Sequence, residues 1–338
     1  MPSLFRSFLF RLTTLLMVVM VVSFPFDDRP SPARISPAAD RTASTPVEAA
    51  ATPARWAGVT MLGVPRDLTG FDQLADDLGQ PHGVGMWYLA WSLQSSFPAA
   101  HAARVAARGA VPEITWEPWN PSAGVNQPTY TLSRIKRGAF DGYLSSWAAG
   151  IKAYGQPVRL RFAHEMNGTW YPWSEGVNGN AAGSYVAAWR HVRGIFDRQG
   201  VTNVTWIWSP TAPYPGTTPL AGLFPGDRWI DEVALDGYNW STLKPGTSWN
   251  SFAGVFNAGL REVTALSTRP VSIGEFGCPE VGGDKAAWIR DMWATLATWP
   301  RVRGIVWFNY DKETDWRIDS SDAALAAYRD GLPGFLAG

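Results

Sequence analysis

Pro157-Val158-Arg159-Leu160-Arg161-Phe162-Ala163-His164-Glu165 and Pro270-Val271-Ser272-Ile273-Gly274-Glu275 follow one plan: a short apolar run that ends in a glutamate. Each run has the length of a strand. Six further runs look alike: Ala57–Leu62, Gly83–Ala90, Val111–Trp116, Val204–Trp208, Glu232–Leu235 and Gly304–Phe308. Between them lie helical patterns over Phe71–Leu78, Pro98–Arg108, Ala139–Tyr154, Ala181–Gln199, Phe252–Leu266 and Ala286–Thr298, and Asp322–Arg329 closes the chain. Nearly continuous apolar strands that alternate with helices imply βαβ units and a parallel sheet buried on both faces. Eight such strands predict an α/β protein, a single (β/α)8 barrel over residues 56–338. A doubly wound sheet is the alternative, but no Gly-rich phosphate loop follows the first strand.

Outside the barrel the chain changes character. Arg6 and Arg11 flank the start of an apolar stretch, Leu12–Phe26, about right for the core of an export signal and short for a membrane span. Residues 1–26 are therefore expected to be a signal peptide or an anchor, and residues 27–55, rich in Pro, Ala, Ser and Thr, a disordered linker. A secreted protein follows, or one tethered by residues 8–26. Lys+Arg 29 against Asp+Glu 29 leaves no net charge, which argues against a nucleic-acid partner. The single cysteine, Cys278, excludes an intramolecular disulfide and is expected to be a packed small residue. The chain is expected to act as a monomer.

On a barrel of this kind, functional groups gather at the C-terminal ends of the strands. The residues ending these runs are Trp91, Glu117 with Trp119, His164 with Glu165, Ser209, Tyr238 with Asn239, Glu275, and Trp307 with Asn309. Two carboxyl groups on two strands, close to indoles, suit hydrolysis of a glycosidic bond. One protonates the leaving oxygen while the other attacks or activates water. Nineteen tryptophans are more than a core needs, and indoles pack well against the flat faces of sugar rings. Trp116, Trp170, Trp173 and Trp307 are thus candidate substrate contacts, as is Glu117. Strand alternation places Arg161, Ala163 and Glu165 on one side and Phe162 and His164 on the other. Glu165 paired with Arg159 or Arg161 is the purely structural alternative. His164-Glu165-Met166-Asn167-Gly168 lacks the second histidine of a zinc helix, and the other three histidines have no ligand spacing, so neither metal nor cofactor is expected. The acidic run Asp311, Glu313, Asp315 and Asp319 reads as a solvated loop. Gly-x-Ser-x-Gly and P-loop motifs are lacking.

At Arg161–Trp173 and Ile273–Gly277 the chain resembles glycoside hydrolase family 26, and the resemblance extends over roughly Trp56 to Tyr328. It implies a retaining enzyme with Glu165 as acid/base, His164 in the sugar-binding subsite, and Glu275 as nucleophile. It further implies that Tyr238 hydrogen-bonds the nucleophile and that Trp170 and Trp307 lie around the cleaved bond. Members hydrolyse β-1,4-mannans, mixed-linkage β-1,3-1,4-glucans or β-1,3-xylans. Trp170-Tyr171-Pro172-Trp173 and Ile114-Thr115-Trp116-Glu117-Pro118-Trp119 look closer to the glucanase-like branch. A non-catalytic polysaccharide-binding barrel, or a hydrolase trimming the cell's own exopolysaccharide, would fit the same fold.

Overall fold

The structure, a computed structural model, describes residues 55–338. The expected signal or anchor (residues 1–26) and the expected linker (27–55) lie outside the described residues, apart from Arg55. All eight expected strands are present: β1 (Trp56–Met61), β2 (Val84–Ala90), β3 (Val111–Glu117), β4 (Val158–Phe162), β5 (Val204–Trp208), β6 (Glu232–Tyr238), β7 (Val271–Gly277) and β8 (Val302–Asn309). They pair in parallel in chain order, and β1 pairs with β8 to close the barrel. The helices are α1 (Thr69–Leu78), α2 (Ala99–Ala106), α3 (Leu132–Lys136), α4 (Asp141–Tyr154), α5 (Ser184–Arg198), α6 (Phe252–Leu266), α7 (Lys285–Ala297) and α8 (Asp322–Ala337).

Two helices depart from expectation. The five-residue α3 is too short to leave a periodic signal; Thr131 caps it by accepting from the Arg134 N–H. The last helix runs eight residues past the expected Arg329, through Gly331 and Pro333. Both residues disfavour a helix interior, but Leu332 and Phe335 are buried and the Phe335 ring packs 5.7 Å from that of Trp293. Tertiary burial outweighs propensity there. The β5–β6 connection carries only 3₁₀ turns, at Leu220–Gly222 and Asp227–Trp229.

The space inside a barrel of this kind is commonly filled by branched aliphatic side chains. Here charged groups occupy much of it. Arg159 donates to Glu113 at 2.7 Å and to Glu232 at 2.7 and 3.0 Å, Ser272 donates to Glu232, and the guanidinium lies 4.2 Å from the Trp56 ring centre. One turn of the pleat further along β4, Arg161 makes the next layer. Such groups are tolerated in a dry interior because each is paired and hydrogen-bonded. The apolar core lies outside the strands: Phe162 packs on Trp189 of α5, and Trp116 on Trp147 of α4 and Phe196 of α5.

Candidate active site

Glu165 follows the end of β4 through an unusual backbone. Ala163 and Glu165 both take left-handed φ values, 48° and 49°, a region that L residues occupy only where the surroundings hold them. The holding bonds are visible. Ala163 N–H donates to Trp116 O at 3.1 Å and Glu165 N–H to Ser209 O at 2.7 Å. The two left-handed residues undo the expected alternation. His164 does not join Phe162 on the outer face; its Nε2 lies 3.9 Å from Glu275 Oε1. Trp170 folds back so that its indole N–H donates to Glu165 Oε2 at 2.8 Å. Only a glycine fits beneath that indole, since a Cβ on Gly168 would approach it to 2.4 Å.

Glu275 is positioned by an irregularity in β7. Leu235 pairs with Ile273 but Asp236 with Glu275, so Gly274 is an extra residue on β7, a β-bulge of the kind that re-aims side chains near active sites. A Cβ on Gly274 would lie 2.7 Å from Asp236 Oδ1 and 3.2 Å from Arg161 Nη1. The glycine thus leaves room for an ion pair. Arg161, fully buried, donates to Thr115 Oγ1 at 3.0 Å, to Ser209 Oγ at 3.3 Å, to Asp236 Oδ1 at 2.7 Å and to Glu275 Oε1. Tyr238 donates to Glu275 Oε2 at 2.8 Å. Both oxygens of Glu275 therefore accept from a fixed donor. The structural alternative for Glu165 is corrected: Arg159 pairs with Glu113 and Glu232, and Arg161 with Asp236 and Glu275, so neither arginine is spent on Glu165.

The two carboxyl groups sit in unlike surroundings. Burial raises the Glu165 pKa, opposed by the Trp170 N–H and then by the Arg161 charge. Burial likewise pushes Glu117, at the end of β3, up to about 7. Burial, and then the Glu165 charge, drives the Tyr238 phenol well above its usual range. Burial, and then the Arg161 cation, lowers the His164 pKa well below the usual histidine range, which favours the neutral ring. Among the described residues its Nδ1 has no hydrogen-bond partner, nor has the buried hydroxyl of Tyr88, whose ring lies 6.0 Å from the imidazole. Cys278 is buried with its thiol pushed up to about 12, as a packed residue should be. Among the described residues no group of His, Cys, Asp and Glu is arranged to hold a metal ion.

Of the residues singled out in the sequence, Glu165, Glu275, His164, Tyr238, Trp170 and Glu117 come together at the barrel mouth. Three tryptophans do not. Trp116 is fully buried against α4 and α5, with its N–H on Tyr143 Oη at 2.9 Å. Trp307 is fully buried between Phe276, Trp288 and Tyr328, with its N–H on Trp316 O at 2.7 Å. Trp173 is fully buried under Tyr171, ring centres 4.2 Å apart, and donates to His164 O at 2.7 Å. The expectation that these three contact substrate is corrected: Trp116 and Trp307 point to the outer face of their strands, and Trp173 braces the His164 turn from behind. Trp307→Phe should therefore leave kinetic constants unchanged while orphaning the buried Trp316 carbonyl, at a cost of about 1–3 kcal/mol in stability. Paired activity and thermal-melting measurements check this; altered kcat at unchanged Tm would restore Trp307 to the site.

Sequence reasoning overlooked Asp236 and half-buried Trp240, and left Tyr171 and Tyr214 without roles. Asp236 had a signal: a carboxylate inside an apolar strand, two residues before Tyr238 and hence on the same face. Trp240 had none beyond its residue type; it lies 5.7 Å from Tyr238, with the Lys244 ammonium 3.0 Å above its ring.

The family model for glycosyl hydrolase family 26 matches residues 109–294, from just before β3 into α7. Endoglucanase H of Acetivibrio thermocellus is 39% identical over 250 residues, 72% of this chain, which spans only 27% of that relative's length. Mannan endo-1,4-beta-mannosidase A and B of Caldalkalibacillus mannanilyticus is 36% identical over 90 residues, covering 25% of this chain and 17% of its own. The catalytic domain of the family 26 endo-beta-1,4-mannanase of Bacillus sp. JAMB-750 superposes with a TM-score of 0.64 at 18% identity, over 84% of this chain and 86% of that domain. That likeness concerns the fold.

Proposed function

This chain belongs to glycosyl hydrolase family 26, and we propose that it is a retaining endo-β-glycanase that cuts β-1,4 bonds in mixed-linkage β-1,3-1,4-glucan. The observation that carries the proposal is the unlike treatment of two carboxyl groups at one barrel mouth. Glu275 has a guanidinium and a phenol aimed at its two oxygens. Glu165 has burial and one indole N–H. A nucleophile must be ionised and fixed, and a general acid must hold its proton near neutral pH. Glu275 then attacks the anomeric carbon as Glu165 protonates the departing oxygen, giving a covalent glycosyl-enzyme. Glu165 next takes a proton from the water that releases it. His164, whose Nε2 lies 3.9 Å from Glu275 Oε1, is suited to hydrogen-bond a sugar hydroxyl beside Glu275 through that nitrogen.

Glucan is preferred because the relative matched over most of this chain bears an endoglucanase name. The shorter match to a mannan endo-1,4-beta-mannosidase supports β-mannan as the second reading. Purified protein incubated with barley β-glucan, lichenan and glucomannan should release short oligosaccharides fastest from the mixed-linkage polymers. Newly formed reducing ends should appear first as the β-anomer by proton NMR. First release of the α-anomer would rule out the double displacement. Cleavage of mannan segments alone would move the substrate to the second reading.

A further inference from the structure

Tyr214 is an exposed aromatic residue. The residue is 51% exposed, on the β5–β6 connection that lacks an α-helix, yet its backbone is tightly built. Asn167, in the Glu165 turn, clamps that connection through its side-chain amide: Nδ2 donates to Thr211 O at 2.9 Å, and Oδ1 accepts from Thr211 N–H at 2.9 Å. Asn167 O accepts from Thr218 N–H at 2.8 Å, and Thr217 Oγ1 closes the turn on Tyr214 O at 2.9 Å. A rigid turn thus displays an aromatic ring to solvent, where burial contributes little to stability. The ring is also aligned. Its plane lies 6° from that of Trp170, with centres 6.4 Å apart, and Trp170 is the indole that donates to Glu165.

We infer that Trp170 and Tyr214, parallel but offset, present aromatic faces to two successive sugars on the leaving-group side of the cleaved bond, with Tyr214 holding the outer one. The inference rests on the proposed glycanase activity, and its direction follows from the chemistry. The general acid must touch the oxygen that departs with the leaving sugar. The aromatic surface attached to Glu165 therefore lies under the leaving sugars, and the surface around Glu275 under those retained. Asn167 keeps the platform and the acid in one rigid unit, so that a sugar seated on Tyr214 aligns the bond with Glu165. Ligands for Tyr214 are β-linked pyranoses with a flat C–H face, and its share of the binding should scale with the length of the leaving segment.

The test compares wild type, Tyr214→Ala and Tyr214→Phe on two substrates with the same retained segment. One is a β-gluco-oligosaccharide cleaved with two sugars leaving; the other is an aryl glycoside whose nitrophenyl group leaves directly. Tyr214→Ala should lose roughly 3–10-fold in kcat/KM on the oligosaccharide, as expected for an aromatic contact. It should stay within about two-fold of wild type on the aryl glycoside, with unchanged Tm. Tyr214→Phe, which keeps the ring, should match wild type on both. Equal losses on both substrates, or none on the oligosaccharide, would overturn the platform while leaving the activity standing. A wild-type protein that cleaves neither substrate would overturn the proposed activity and the platform with it.

Discussion

Glu275→Ala is expected to abolish turnover on polysaccharide, and sodium azide to restore part of it on an activated aryl glycoside, giving a glycosyl azide of inverted anomeric configuration. A retaining site holds its carboxyls roughly 5–5.5 Å apart, which leaves no room for a second nucleophile between Glu275 and the sugar. Truncation opens that space, and azide can then attack from the same face. Arg161 remains bonded to Asp236, Thr115 and Ser209 in the variant, so the cation keeps a carboxylate partner and the barrel should still fold. A variant that retains wild-type turnover, or an azide adduct of unchanged configuration, would remove Glu275 from the nucleophile's role.

Glu165→Gln should slow polysaccharide cleavage by about 10²–10⁴-fold, the usual worth of general acid catalysis, and slow an aryl glycoside with a good leaving group far less in the glycosylation step. Equal losses would mean that Glu165 does something other than protonate the departing oxygen. The pH dependence has a definite sign. Burial raises the Glu165 pKa, so the acid keeps its proton where an ordinary glutamate has lost it. The polysaccharide rate falls as pH rises through that raised value. Trp170→Phe removes an N–H that lowers the Glu165 pKa, and should therefore move the alkaline limb of kcat/KM to higher pH. Movement to lower pH would show that the indole acts by excluding water rather than by donating its proton.

The barrel and its two principal carboxylates were legible along the chain because both depend on local order. Strands buried on both faces must be apolar over their length, so β1 to β8 could be read off as runs, and a glutamate closing such a run stands out. The same logic placed Tyr238. It failed for the tryptophans because an indole is as good a core filler as a sugar platform, and residue type alone does not say which face of a strand it is on. Trp116 and Trp307 close strands like Glu165 and Glu275 do, yet they face the helices. It failed for His164 because strand alternation holds only while φ stays extended, and the left-handed Ala163 and Glu165 turn the imidazole toward Glu275.

The electrostatics of the site were decided by contacts between residues far apart in the chain. Arg161 could have paired with Glu165, four residues away, but the Gly274 bulge aims Glu275 at its guanidinium, where Asp236 of β6 also meets it. That choice leaves Glu165 with burial, an indole N–H and the Arg161 charge without a direct ion pair. One chain thus carries two glutamates of the same intrinsic acidity in unlike electrostatic surroundings. Sequence determines which groups are available and on which strands they end; the register of β6 against β7, a long-range packing outcome, determines which carboxylate receives the cation.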